Sequence, residues 1–102
     1  MAEPYSVYES EWAVYKIGKV VFNCDLGRRY GIFCARKRQR GLSGFRICKD
    51  VQGGVLYSGP RRAQDVLDAF ADDRGWRFYG VQDKVPIIEG GYVFPPQLIG
   101  DE

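Results

Sequence analysis

Arg36, Lys37, Arg38 and Arg40 put four cations into five residues, the densest concentration of chemistry-bearing side chains in this 102-residue chain. Such an array neutralises phosphates and releases their counterions, which favours a polyanion. Arginine adds bidentate pairing with a phosphate or a guanine edge. Arg28, Arg29, Arg46, Lys49, Arg61 and Arg62 extend the run, so residues 28–62 hold ten of the fifteen basic residues against one acid, Asp50. That window carries +9, while residues 1–27 (four acids, two lysines) carry −2 and residues 63–102 (eight acids, three bases) carry −5. The near-neutral total of +2 therefore conceals a polarised chain. A face of this kind attracts phosphates or acidic protein surfaces. The same four-residue run also reads as a solvated turn that blunts a sheet edge.

Arg61 and Arg62 follow Gly59-Pro60 and fall in the first turn of the one clear helical pattern. The helix dipole disfavours cations there by roughly 0.3–1 kcal/mol each. An anion held by the free backbone N–H groups would account for the inversion. Extension into water, or pairing with Asp65 along the helix, accounts for it equally.

Enzyme chemistry has little to build on. The chain has no histidine, the commonest general base. Cys24, Cys34 and Cys48 are odd in number and lack a CxxC pair. They read as reduced, buried thiols of a cytoplasmic protein rather than a disulfide framework or zinc site. Asp65, Asp68 and Asp72 share a helical face without the spacing of a calcium loop, so they read as a solvated face. The expectation is a non-catalytic chain without metal or cofactor. Residues 1–11 have no basic stretch followed by an apolar one and do not read as a signal peptide. No apolar run reaches the roughly 18 residues of a membrane span.

These residues must be positioned by a single domain over 1–102, with fifteen aromatic residues to supply a core and 13 glycines to supply turns. The patterns predict an α+β fold in which an antiparallel meander of five to six short strands carries one helix, over about 60–74, on one face. Residues 12–17 and 20–24 form a hairpin that turns at Gly18-Lys19. Residues 5–8 are an edge strand or an arm. Residues 29–37 form a third strand, buried in its first half and solvated in its second, and 39–44 form a loop. Residues 45–49, 55–58 and 76–81 are further strands. Pro60 suits the first helical position and Gly75 the helix end. Ala63, Val66, Leu67 and Phe70 make an apolar stripe of helical period between them.

Residues 84–102 form a Pro/Gly-interrupted apolar arm or edge strand. Ile87, Ile88, Tyr92, Val93 and Phe94 are too apolar to stay in water, so they cover the domain's own sheet or pair with a partner, a homodimer being the simplest.

Over 29–75 the order of three basic strands followed by a helix is similar to the integrase arm-binding DNA domains and their plant counterparts. That similarity lies in element order and charge alone. It implies a three-stranded sheet of 30–37, 45–49 and 55–58 laid in the major groove. Residues 28–35 do not fit an RNA-recognition strand, because Arg29, Ile32 and Ala35 stand where that motif needs glycine and aromatics. Two functions follow as expectations. One is a binding module whose basic face, residues 28–62, meets nucleic-acid backbone. The other is a protein-interaction or inhibitor module, dimeric through its C-terminal segment, whose basic face meets an acidic protein.

Overall fold

A computed structural model describes residues 4–21, 27–51 and 55–88. Its elements in chain order are β1 (Tyr5–Glu9), β2 (Ala13–Val21), β3 (Arg28–Arg38), β4 (Gly41–Leu42), β5 (Arg46–Ile47), β6 (Leu56–Tyr57), α1 (Pro60–Arg74) and β7 (Arg77–Gln82). The sheet runs β4-β3-β2-β1-β7, with β5 and β6 also paired to β3, and every strand pair is antiparallel. The α+β expectation of a strand meander with a single helix on one face holds.

The longest ladder joins β2 to β3 through nine residue pairs, from Ala13 opposite Arg36 to Val21 opposite Arg28. Successive side chains of β3 alternate between two apolar layers. Ile32 enters the cluster under the helix, with Ile17, Tyr57, Val66 and Leu67, whereas Phe33 enters a second cluster on the opposite face with Val20 and Leu56. Burial on both faces explains why residues 30–35 are almost continuously apolar. Leu56 and Tyr57 repeat the device, since each neighbour fills a different layer.

The expected turn at Gly18-Lys19 is absent. β2 continues through it, with Gly18 directly opposite Gly31. A Cβ on Gly18 would collide with Ile88 and stand 2.7 Å from Phe33 Cδ1, and a Cβ on Gly31 would stand 2.7 Å from Leu56 Cδ2. The pair is therefore a close-approach site inside the sheet, through which Phe33, Leu56 and Ile88 pack against bare backbone. β1 is likewise neither an edge nor an arm, because it lies between β2 and β7.

The helix forms where its signals place it. Pro60 occupies the first turn, and Gly75 ends the helix in the left-handed conformation (φ 71°) with its N–H donating to Ala71 O. Ala63, Val66, Leu67 and Ala71 are buried, and Phe70 is half-buried beside them. Gln64 is also buried, at 2% exposure, and its Nε2 donates to Ser6 O (3.1 Å) and Asp68 Oδ1 (2.8 Å). Asp68 is not simply solvated, since it also accepts from the Tyr8 hydroxyl (2.7 Å) and fastens α1 to β1. Burial, with the Asp68 hydrogen bond, pushes the Tyr8 phenol up to about 12.

The described part of the C-terminal segment lies along β2. Lys19 N donates to Pro86 O (2.8 Å) and Ile88 N donates to Lys19 O (2.9 Å). Ile88 packs on the second cluster and Ile87 is exposed, while Tyr92, Val93 and Phe94 lie outside the described residues. Among the described residues no helix is long and apolar enough to cross a membrane.

Gly31→Val is expected to destabilise the fold by about 1–3 kcal/mol through overpacking. Urea unfolding should show a lower midpoint with an unchanged slope. A variant as stable as the parent would contradict the close packing at this pair.

Candidate nucleic-acid interface

Residues 30–35 of β3 lie between two apolar layers, and its last three, Arg36, Lys37 and Arg38, run on as a hairpin arm. Lys37 pairs with Leu42 and Arg38 with Gly41, so Gln39 and Arg40 form a tight turn instead of the expected six-residue loop. Gly41 has φ 87°, a value glycine reaches without penalty. The arm is held from both sides. Ser43 N donates to Arg36 O (2.9 Å), Ser43 Oγ accepts from Arg36 N (2.8 Å), and Lys37 N donates to Trp12 O (2.8 Å).

Alternation places Arg36 and Arg38 on one face of the arm and Lys37 on the other. Arg46 on β5 stands opposite Cys34, which makes it a diagonal neighbour of Arg36 on the same face. Arg36, Arg38, Arg40 and Arg46 are all exposed, and among the described residues no carboxylate pairs with any of them. Trp12, 73% exposed, immediately precedes β2 and lies opposite Lys37, whose N–H donates to its carbonyl. Lys37 is differently engaged: its Nζ is 2.5 Å from Glu9 Oε1, with Arg77 3.9 Å from the same oxygen. The Lys37 hydrogen bond, aided by the two positive charges, holds the Glu9 carboxyl below its usual range.

The ten expected cations do not form one surface. Arg28 and Arg29 sit at the opposite end of β3 from Arg38, roughly 33 Å away at the usual rise of an extended chain. Arg29 is half-buried and engaged. Lys49 is exposed in the turn after β5, near the end of α1, where Arg74 donates to Asp50 O (3.1 Å). Arg61 lies over the Tyr5 ring at 4.3 Å, which accounts for a cation in the first helical turn without an anion. Tyr5 is at the other end of β1 from Glu9, so Arg61 and Arg62 are remote from the hairpin. The structure therefore gathers Arg36, Arg38, Arg40 and Arg46, leaves Lys49 nearby, turns Lys37 inward to Glu9, and sets Arg28, Arg29, Arg61 and Arg62 apart.

The three-stranded sheet implied by the DNA-domain likeness is absent as well. β5 and β6 do not pair with each other; both lie end to end along β3. Tyr15 and Trp76 stack at 3.7 Å on the Cys34 side of the sheet. Across the face opposite the helix runs a cleft of about 300 Å³, between Leu42 and Phe45 on one side and Tyr79 and Val81 on the other. Lys16 lies in its floor with Nζ 4.1 Å from the Phe45 ring centre, and burial lowers its pKa. Among the described residues no group of three histidine, cysteine or acidic side chains could hold a metal. The exposure of Trp12 next to the hairpin strand was hidden in the sequence, because it reads as the first apolar residue of a strand.

No family model, curated protein or solved structure matches the chain.

The Glu9–Lys37 pair carries a pH signature. A carboxyl whose pKa is lowered on folding contributes stability above its unfolded value, near 4.5, that is lost as pH falls through its native value. Urea midpoints of the parent and Glu9→Gln should therefore differ at neutral pH and converge in acid. Equal midpoints at pH 7 would contradict a contributing ion pair.

Proposed function

We propose that the chain is a non-catalytic module that binds nucleic-acid backbone through the hairpin end of β3. The observation that carries this reading is the set of four exposed guanidinium groups, without carboxylate partners among the described residues, on a braced strand end whose neighbouring chain exposes a tryptophan. Arg36, Arg38, Arg40 and Arg46 meet phosphates, and Trp12 offers a face on which an unpaired base stacks. This combination favours a single strand over a duplex. Lys37 is a reserve charge held by Glu9, and Lys49 extends the surface. A cytoplasmic site of action goes with free thiols at Cys34 and Cys48.

Fluorescence anisotropy with a mixed-sequence single strand and the matching duplex, across a salt series, tests the reading. Neutralising the four arginines together should lower the salt slope by about 3 at roughly 0.7 per phosphate contact on a single strand. Trp12→Ala should weaken single-strand binding by about 1–3 kcal/mol with the slope unchanged. An unaltered slope in the quadruple variant would overturn the site.

A second reading is supported by β7. Among the described residues it is the last strand of the sheet and exposes Phe78, Tyr79 and Val81, an apolar edge of the kind that accepts a further strand. On that reading the chain is a protein-interaction module, self-pairing or paired to an acidic partner. Sedimentation equilibrium would then give a dimer that Val81→Lys converts to monomer, whereas a parent that stays monomeric at high concentration removes self-pairing.

A further inference from the structure

Two cysteines 14 positions apart in the chain meet on one face of the sheet. Cys34 stands on β3 opposite Tyr15 on one side and Arg46 on the other. Beyond Arg46 the ladder continues, because Cys48 N donates to Ile32 O (2.8 Å). Cys48 is thereby level with Ile32, shares its cluster under the helix, and is the diagonal neighbour of Cys34. Both side chains therefore lie on the helix side of the sheet, with one pair between them along the ladder.

The two sites are unequal. Cys48 is 2% exposed, whereas Cys34 is half-buried. The neighbouring Cys48 thiol, with a smaller contribution from Arg36, pulls the Cys34 thiol below its ordinary range. Cys34 and burial push Cys48 up. A half-buried thiol of lowered pKa beside a shielded partner is the arrangement of an attacking and a resolving cysteine.

We propose that Cys34 and Cys48 form an oxidisable dithiol, in which Cys34 reacts with a hydroperoxide and Cys48 then closes a disulfide. In the first step the Cys34 thiolate attacks one peroxide oxygen. The S–O bond forms, the O–O bond breaks, sulfur is oxidised to a sulfenic acid, and the departing hydroxide takes a proton to become water. In the second step Cys48 sulfur attacks Cys34 sulfur. The S–S bond forms, the S–O bond breaks, and the hydroxyl leaves as water with the Cys48 proton. Two thiols and hydrogen peroxide give one disulfide and two waters. The sulfurs of this diagonal pair must close to about 2.05 Å, which requires the two strands to shift locally. β5 is only two residues long and leads into a turn, so it can follow that movement.

Peptide mapping of the full chain after brief treatment with hydrogen peroxide and alkylation tests this, because trypsin places each cysteine on its own peptide. Peptide 30–36 linked to peptide 47–49 is the expected main product, with the peptide of Cys24 alkylated. In Cys48→Ser a dimedone adduct should appear on Cys34 and further oxidation should accumulate there. If that variant does not fold, the map of the parent still decides. A main product that joins Cys24 to either partner, intermolecular linkage only, or reaction of Cys34 no faster than glutathione would overturn the proposal.

Discussion

The β2–β3 ladder is the constraint on which the other elements depend, and its tightest point is the Gly18–Gly31 pair. A strand buried on both faces must fill two layers at once, and β3 does so by alternating Ile32 and Phe33 between them. The second layer closes only because two opposed glycines leave backbone for Phe33, Leu56 and Ile88 to rest on. The free edge of β3 is then occupied in turn by β4, β5 and β6, which are too short to stand alone. The helix caps the first layer, tied to β1 through Asp68 and Gln64.

This construction makes the end of β3 useful. The buried stretch 30–35 holds three residues of charged arm, and backbone bonds from Ser43 and to Trp12 brace it on both sides. Four arginines held near one another repel, a cost the fold accepts without supplying carboxylates among the described residues. Of the hairpin cations Glu9 meets only Lys37, whose side chain faces the other way, and it also lies near Arg77. Remote cations are treated differently: Arg61 rests on Tyr5 and Arg74 caps the helix end over Phe70 and Trp76. Four uncompensated arginines gathered at one place, against Arg61 and Arg74 resting on aromatic rings, are the physical basis for proposing the interface at the hairpin.

Much of the fold was legible in the residues themselves. The helix was, because Pro60, Gly75 and the apolar period agree with one another. The buried-then-charged character of β3 was also legible. Gly18 misled, since an isolated glycine signals a turn locally and only its partner Gly31, thirteen positions on, shows that it serves close packing. The internal place of β1 was hidden for the same reason, because its neighbour β7 lies some seventy residues away. Of the site, the hairpin arginines were legible as a run of charge. The separation of Arg28 from Arg38 was not, because proximity in sequence along an extended strand means distance in space. The contact between Cys34 and Cys48 depends on a diagonal register that no spacing rule encodes.

The most direct measurement is an amide-shift map of the labelled chain titrated with a short single-stranded oligonucleotide at moderate salt. Shifts confined to Trp12, Arg36 through Arg40 and Arg46, with Arg28, Arg29, Arg61 and Arg62 unmoved, are the predicted result. Shifts centred on the helix start or on β7, or none at all, would contradict the account.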